Sequence, residues 1–278
     1  MTSASVKITI LVDNRAGDGL VPEHGLSFWI DAGDRKVLFD TGQGSALPLN
    51  AASLQVDLRE TDAMVLSHGH FDHTGGVAHV LKTAGPIDTY CHPGVVLPRY
   101  SIRDLAPHQI QMPGASMVAI DRLSQQHLHW VQQPIWLSGM IGITGSIPRE
   151  TAFEDTGGPF YLDPGGRRAD AMDDDLALWI RTGRGLVVCV GCCHAGVVNT
   201  LNYILRLNPG SKIRAVVGGM HLLNASHDRI EQTIAALRAL GPELLVPCHC
   251  TGEGAVERML AAFGDRALWG HSGLRLYF

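Results

Sequence analysis

The strongest constraint on the fold is an alternation of short apolar runs with helical patterns, which occurs once in each half of the chain. Short β-branched and apolar runs predict strands, and apolar residues at a helical period predict helices. Strands are predicted at 6–12, 26–32, 36–42, 62–67, 87–92, 176–180, 185–191, 212–219 and 243–249, and helices at 76–84, 197–208, 229–241 and 254–264. Most of these strands run into loops rich in Gly, Cys or His, so the pattern predicts an α/β fold with its polar chemistry at the strand ends.

The length favours one large domain with an insertion. A chain of 278 residues, 45% of them hydrophobic, can bury a sizeable core, and we interpret residues 1–278 as a single domain. Between 93 and 165 the alternation weakens into a region rich in Pro, Gln, Gly and Met. We interpret residues 93–165 as an inserted lid that covers the site and sets substrate specificity, and we expect 116–133 to contribute strands of a hairpin within it.

The charge distribution favours a small-molecule substrate over a polymer or a membrane. The formal net charge is −5 and Lys and Arg are scattered along the chain, which argues against nucleic acid and anionic lipid as partners. No run approaches the roughly 20 apolar residues of a membrane span, and the first 12 residues indicate a strand rather than a signal peptide. The six cysteines lie at the ends of apolar runs, which is typical of reduced thiols, so we expect a cytoplasmic protein.

The stretch SHGHFDHTGG, residues 67–76, places three histidines and an aspartate within six positions. In a loop that follows a strand, His68 and His70 project the same way and can bind one ion, while Asp72 and His73 lie past the bend and can bind a second. Neutral imidazole and carboxylate are ligands that zinc accepts. A chance cluster is the alternative, which we expect in only roughly a few sequences in a thousand. We therefore predict two divalent metal ions, Zn²⁺ first, with Mn²⁺ or Fe²⁺ as alternatives.

The motif HGHFDH, residues 68–73, resembles the HxHxDH signature of the metallo-β-lactamase superfamily. LFDTG resembles the superfamily's supporting strand and turn, with Asp40 as its buried acid, and VPCHCTG resembles the last metal motif and gives His249. A branch named for dihydropterin-ribofuranosyl-aminobenzene-phosphate-synthase-like metal-dependent hydrolases is closer still, on the elements VDN (12–14), EHGLSFWI (23–30), TGSIPRETAFE (144–154), VGCCHAGVVN (190–199), GGMHLL (218–223) and PCHCTG (247–252). The resemblance implies the metallo-β-lactamase αβ/βα sandwich, two mixed sheets flanked by helices, and a homodimer as an expected assembly.

The same resemblance implies the remaining ligands. Superfamily members usually supply a further histidine and a bridging acidic residue or cysteine from the second half of the fold. Because no GHTxGH element precedes the strand LALWI, His194 is the candidate for that histidine. Cys192 stands where many members carry a bridging aspartate, so it is either a thiolate ligand or a small buried residue that tightens the loop. His221 either ligates a metal or, as we favour, contacts substrate and donates a proton. The branch pattern also places Glu23 and His24 near the mouth of the site, where we expect them to bind substrate, and makes Arg149 an anchor for an anionic substrate group.

The complete metal motif predicts a hydrolase. Two cations that share a water lower its pKa toward neutrality and hold the resulting hydroxide in line with an ester, phosphoester or lactone, with Asp72 orienting it. Flavodiiron-type members carry an acid where this chain has His70, so the imidazole favours hydrolysis over iron chemistry. We predict a metal-dependent hydrolase of a small organic substrate, of which a pterin-related compound is one candidate. The alternatives are a dihydropterin-type synthase and a ligand-binding or regulatory protein of the same fold without turnover.

Overall fold

A computed structural model describes residues 5–33 and 35–278, so the first four residues of the predicted amino-terminal segment lie outside the described residues. The strands are β1 (Lys7–Val12), β2 (Ser27–Asp31), β3 (Lys36–Phe39), β4 (Ala63–Val65), β5 (Asp88–Cys91), β6 (Tyr100–Arg103), β7 (Ala106–Gln109), β8 (Leu128–Trp130), β9 (Ile135–Trp136), β10 (Ile141–Ile143), β11 (Phe160–Tyr161), β12 (Ala177–Thr182), β13 (Gly185–Val190), β14 (Ile213–Gly219), β15 (Leu244–Cys248) and β16 (Arg275–Tyr277). The α-helices are α1 (Ala46–Ser53), α2 (Phe71–Thr74), α3 (Val77–Ala84), α4 (Gly114–Asp121), α5 (Val197–Leu207), α6 (His227–Leu240) and α7 (Glu253–Phe263). Within the described part of the chain, no helix has the length and apolar character needed to cross a membrane.

Two mixed sheets form the frame of the protein. The first has the order β16-β1-β2-β3-β4-β5-β8, and its strands β3, β4, β5 and β8 run parallel. The second has the order β15-β14-β13-β12-β10-β9, and its strands β13, β14 and β15 run parallel. The carboxyl ends of parallel strands lie at one edge of a sheet, so each sheet presents one such edge for a site.

The two sheets pack face to face and each carries helices on its outer face. Phe28 and Val37 of the first sheet and Leu178 and Val187 of the second belong to one buried cluster between the sheets. A second cluster joins the outer face of the second sheet to α5, α6 and α7, and a third joins the first sheet to α1, α3 and α4. The alternation of apolar residues along each strand and the apolar stripe of each helix produce this helix–sheet–sheet–helix order. The predicted α/β sandwich of two mixed sheets flanked by helices is confirmed.

Part of the region 93–165 adds strands to the two sheets, and another part lies next to the cavity at the strand ends. β8 extends the first sheet beside β5, and β9 and β10 extend the second beside β12. The small sheet β11-β6-β7 contributes side chains to the cavity at the strand ends, so the covering part is narrower than 93–165. The expectation that 116–133 forms a hairpin is wrong, since α4 occupies its first part. The physical reason is that β5 and β8 are parallel, and a parallel pair requires a long crossover, which here includes a helix.

Candidate metal centre and adjoining cavity

The carboxyl ends of strands from both sheets supply the polar side chains of the site. In the first sheet β3 leads to Asp40 and β4 leads to His68, and in the second β13, β14 and β15 lead to His194, His221 and His249. Asp40, His221 and His249 have positive φ angles of 60°, 44° and 49°, a conformation that non-glycine residues adopt rarely. Backbone of this kind is retained where surrounding contacts hold it, and it is concentrated at functional sites.

One group of donors joins the loop after β4 to the loop after β13. His68 Nε2 lies 2.9 Å from His70 Nδ1. The ring centroid of His194 lies 4.8 Å from that of His68 and 5.0 Å from that of His70. The donor atoms of His68, His194 and Cys192 lie within 4.8 Å of one another, and all three side chains are buried. Residues more than a hundred positions apart therefore face the same point.

A second group lies next to the first and shares Cys192 with it. His73 Nε2 is 3.1 Å from both Cys192 Sγ and His249 Nε2, and Cys192 Sγ is 3.4 Å from His249 Nε2. Asp72 Oδ2 lies 3.4 Å from His249 Nε2. Cys192 Sγ is thus within reach of both groups of donors.

The donor set fits divalent cations. Within the described residues, the buried nitrogens His70 Nε2 and His194 Nε2 have no hydrogen-bond partner. An unpaired buried polar atom costs about 1–3 kcal/mol, and a cation in the centre of the group would satisfy both. Imidazole, carboxylate and thiolate are the donors that zinc accepts. The residues that would hold one cation are His68 and His194, with His70 beside them, and those that would hold a second are Asp72, His73 and His249, with Cys192 within reach of both groups.

Hydrogen bonds behind the ligands fix the orientation of their rings. Four candidate ligands have their outer nitrogen engaged, which leaves Nε2 for the pocket: His73 Nδ1 with Asp40 Oδ2 at 2.7 Å, His68 Nδ1 with Ser67 Oγ at 2.9 Å, His249 Nδ1 with Asn14 Oδ1 at 2.9 Å, and His194 Nδ1 with the Thr156 carbonyl oxygen at 2.7 Å. Asp40 also accepts hydrogen bonds from the backbone N–H and the hydroxyl of Ser67 at 2.7 Å each. Outer partners of this type set the tautomer of metal-binding histidines.

Burial and neighbouring charges shift the pKa values of these groups in different directions. Burial opposes ionisation of Asp72, but His73, His24 and His249 stabilise its carboxylate and hold its pKa well below the usual range. Burial also opposes the charge of His73, but Asp40 and Asp72 raise its pKa to about 9. In the first group of donors, burial lowers the pKa of each imidazole well below its ordinary value. These imidazoles are His68, His70 and His194. A neutral imidazole with a free nitrogen is the form that binds a metal.

A buried ionic network lies under the loop that carries His68 and His70. Arg99 is 1% exposed and donates two hydrogen bonds to the Asp174 carboxylate, at 2.7 and 2.6 Å, and one to Asp170 at 2.8 Å. Asp174 also accepts the backbone N–H of Gly69 at 2.9 Å. A Cβ at Gly69 would lie 2.8 Å from Arg99 Nη1 and would collide with the Val95 carbonyl. The network therefore positions the loop, and glycine is the residue that permits this close approach.

His24 and Glu23 have different surroundings although they are neighbours in sequence. His24 lines the pocket, and its Nε2 lies 3.2 Å from Asp72 Oδ2. The hydrogen bond with Asp72 raises the pKa of His24. Glu23 accepts hydrogen bonds from the backbone N–H groups of Gln43, Ser45 and Ala46. Glu23 therefore orders the loop that follows β3, and its predicted contact with substrate stays a prediction.

Arg149 supports a ligand loop from behind. Its Nη1 donates to the carbonyl oxygen of His194 at 2.5 Å, and its Nη2 donates to the carbonyl oxygen of Ala171 at 2.6 Å. These contacts hold the backbone of His194 in place. Since the guanidinium is engaged with carbonyl groups, the structure does not bring Arg149 together with the cavity residues that could contact substrate.

His221 and Cys250 complete the wall of the site on the side of the second sheet. The donor atoms of His221, Cys250 and Cys192 lie within 4.8 Å of one another. Burial raises the pKa of Cys192 well above its ordinary value. Burial opposes a thiolate at Cys250 as well, but Cys192, His221 and His249 hold its pKa well below the ordinary value. Cys250 was not predicted as a site residue, although a cysteine stands beside a histidine both at 193–194 and at 249–250, which was a signal for it.

The donors open into a cavity that adjoins a larger one. A cavity of about 240 Å³ is lined by His24, His70, Asp72, Cys192, His221, His249 and Cys250 together with side chains of β6 and β11. A second cavity of about 830 Å³ shares Arg103 and Asn224 with the first. Arg103 is exposed at the end of β6 and was not predicted as a site residue. A pocket with metal donors at one end and an arginine at the shared border can accommodate an extended anionic molecule.

The fold and the convergent His, Asp and Cys donors define the class of protein. A profile of the metallo-β-lactamase superfamily matches residues 20–200, which is more than half of the chain. The chain belongs to the metallo-β-lactamase superfamily.

Curated relatives cover almost the whole chain. It is similar to the 7,8-dihydropterin-6-methyl-4-(β-D-ribofuranosyl)-aminobenzene-5′-phosphate synthase of Methanocaldococcus jannaschii, with 29% identity over 99% of this chain and 97% of the relative. The uncharacterized protein MJ0448 of the same organism is 28% identical over 96% of this chain and 98% of its own length. The branch predicted from the motifs is confirmed.

Solved structures agree with this assignment. The crystal structure of Tm1679, described as a metal-dependent hydrolase of the β-lactamase superfamily, matches with a TM-score of 0.82 and 28% identity, and the match covers 98% of both chains. Zn²⁺-bound PqqB from Methylobacterium extorquens matches with a TM-score of 0.60 at 15% identity, over 97% of this chain and 99% of that one, which shows the common fold.

Proposed function

We propose that this protein is a metal-dependent hydrolase that acts on a small, extended, anionic organic ester, phosphoester or lactone, with a pterin-related compound as the leading candidate. The observation that carries the proposal is the convergence of two groups of metal donors on one buried point, with Cys192 within reach of both. We also retain from sequence the expectations of a small-molecule ligand, a homodimer and a cytoplasmic location.

The donors define what a pair of cations and the surrounding side chains would do. Two divalent cations held by these donors would supply an activated water and would polarise an electrophilic oxygen of the substrate. Asp72, ionised and in contact with His24, orients the attacking group. Proton transfer to the leaving group falls to His24 or to His221, both of which line the pocket.

The adjoining cavity supports an extended anionic substrate. At about 830 Å³ it is larger than the metal pocket, and Arg103 and Asn224 lie on the border between the two. A substrate whose reacting bond lies over the metal donors would extend past Arg103, whose guanidinium can pair with a phosphate or carboxylate. The name of the M. jannaschii relative specifies a pterin joined to an aryl ribofuranosyl phosphate, a molecule of this shape and charge.

A second candidate function is that of a synthase of the kind named for this relative. The observation in its favour is the similarity to that relative over 99% of this chain. The same cations would then polarise a substrate oxygen without supplying an attacking water. Formation of the named product by the purified protein, without hydrolysis of any ester, would select this candidate.

The test combines metal analysis with a substrate panel. We expect elemental analysis of the purified protein to find about two divalent ions per chain. In the variant His68→Ala–His70→Ala the metal content should fall by about half or more, because one group loses two donors. His108→Ala, which changes an exposed histidine, is the matched control and should retain the metal content of the parent.

The panel contains phosphodiester, phosphomonoester, lactone and thioester substrates, including pterin derivatives. Hydrolysis that disappears with the metal in His68→Ala–His70→Ala supports the proposal. A parent protein without metal would refute it and would favour a ligand-binding protein of the same fold. Unchanged metal stoichiometry in the double variant would show that the ions, if present, lie elsewhere.

A further inference from the structure

Three side chains of the second sheet form a cluster that the two-cation site does not use fully. Cys192 follows β13, His221 follows β14 and Cys250 follows β15. Their sulfur and nitrogen donor atoms lie within 4.8 Å of one another, and both thiols are buried. In the described part of the chain, His221 Nδ1 is a buried atom without a hydrogen-bond partner. The cluster therefore contains an unsatisfied donor next to two sulfur atoms.

Two glycines make room for this cluster. A Cβ at Gly219 would lie 2.5 Å from Cys250 Sγ. A Cβ at Gly157, whose φ is +85°, would collide with the ring of His221. The backbone on both sides is thus shaped around these two side chains, which is expected where a site must hold them in fixed positions.

We propose that Cys192, His221 and Cys250 form a further cation site, rich in thiolate, beside the imidazole and carboxylate positions. Its ligand is a borderline or soft divalent ion such as Zn²⁺, because two sulfur donors and one imidazole select such ions over Mg²⁺ or Ca²⁺. Metal–sulfur bonds of about 2.3 Å and metal–nitrogen bonds of about 2.0–2.1 Å require donors spaced within the range found here.

The position leaves one side of the cation accessible. Cys192, His221 and Cys250 all line the cavity of about 240 Å³, so a cation with three protein ligands would face the cavity with its fourth position. An open fourth position distinguishes a site that binds a water or a substrate atom from a closed structural site. Since ligation through Nδ1 engages the free nitrogen of His221, proton transfer in the proposed hydrolase then falls to His24.

Cobalt spectroscopy tests the site without reference to activity. The full-length protein is loaded with Co²⁺ in the presence of a phosphine reductant, which keeps the thiols free. Near-ultraviolet thiolate-to-cobalt charge-transfer absorption and the number of bound ions are measured together. In Cys250→Ala we expect the charge-transfer intensity to fall by about half, because one of two thiolate ligands is lost, and we expect the protein to bind one equivalent less. Cys91→Ala, which removes a buried thiol in β5, is the matched control and should leave both quantities unchanged.

A second variant separates this site from the two-cation site, with which it shares Cys192. His68→Ala–His249→Ala removes one donor from each of the other two groups and none from the thiolate cluster. We expect this variant to retain one cobalt ion with a charge-transfer band, and the triple variant with Cys250→Ala to lose both. If Cys250→Ala keeps the full intensity and stoichiometry of the parent, the thiolate site does not exist. If the parent and His68→Ala–His249→Ala bind the same single ion with the same spectrum, the thiolate site stands and the two-cation site fails. Should the double variant not fold, as judged by circular dichroism, the comparison of the parent with Cys250→Ala decides alone.

Discussion

At the scale of single residues, Asp175 is a buried acid next to the candidate site, and its pKa is raised. It is 2% exposed, and its Oδ2 accepts the backbone N–H of Ala195 at 2.7 Å, beside the candidate ligand His194. Its Oδ1 has no hydrogen-bond partner within the described residues. Burial raises the pKa of Asp175 from 3.8 to about 7. The folded protein therefore keeps the proton of this carboxyl over a pH range in which the unfolded chain releases it.

This linkage predicts a pH-dependent stability that Asp175→Asn removes. The contribution of the protonated carboxyl is complete below pH 3.8 and is lost as the pH rises through about 7. Its total size is on the order of 4 kcal/mol, since one pKa unit corresponds to about 1.4 kcal/mol. In Asp175→Asn the free energy of unfolding, measured with urea from about pH 4 to about pH 8 in the presence of a chelator, should decline less steeply with pH than that of the parent. The exposed Asp18→Asn is the control and should keep the parent's slope, whereas an unchanged slope in Asp175→Asn would contradict the assignment.

Site residues could be predicted from the sequence when they lie close together along the chain. The donors at 68, 70, 72 and 73 are identifiable because they lie within six consecutive positions, and a short motif is enough to indicate their chemistry. The Arg99 network was not predictable, because its acids lie 71 and 75 positions away and only the fold brings them together. Arg149 is a different case: the family resemblance implied that it anchors an anionic group, whereas its guanidinium donates to carbonyl oxygens, and its contact with substrate stays a prediction.

At the scale of elements, the hairpin of β6 and β7 places the guanidinium group of an arginine at the border between the two cavities. Arg103 is the last residue of β6, and it lines both the metal pocket and the larger cavity. In Arg103→Ala we expect KM for an anionic substrate to rise about tenfold or more with kcat little changed, because a hydrogen bond to a charged group contributes about 1.5–3 kcal/mol. Steady-state kinetics with the best substrate of the panel measures this change. Arg103→Lys should recover part of the affinity, and the exposed Arg122→Ala should behave like the parent. Loss of metal in Arg103→Ala, or an unchanged KM, would show that Arg103 does not bind substrate.

The elements that sequence predicted well are those whose apolar period is uninterrupted. Helix α5 was expected at 197–208 and occurs at Val197–Leu207, and strand β13 was expected at 185–191 and occurs at Gly185–Val190. Helix α4 was mistaken for strand because SMVAID contains β-branched residues, which favour strands in isolation. Its packing against α3 and the parallel pairing of β5 with β8 determine its conformation, and neither is visible in a local pattern.

At the scale of the whole molecule, the proposed cations connect the two halves of the sandwich. The donors of residues 68–73 follow the first sheet, and those at 192, 194 and 249 follow the second. In the unfolded chain these donors are far apart, so cations bind the folded state almost alone and stabilise it by mass action. At a free metal concentration of about 100 times Kd, one site contributes about 2.7 kcal/mol.

Removal of metal should therefore lower the thermal stability of the protein. We expect a chelator to lower Tm, measured by differential scanning fluorimetry, by about 5–11 °C, since the loss of about 2.7 kcal/mol from one site acts on a domain for which 1 kcal/mol corresponds to about 2–4 °C. Addition of Zn²⁺ in excess of the chelator should restore Tm. In His68→Ala–His249→Ala the chelator should lower Tm by less than in the parent, because each of the two groups of donors has lost one histidine. In His108→Ala the chelator should lower Tm as much as in the parent. If the double variant shows the same shift as the parent, the metal that stabilises the fold is not held between its halves.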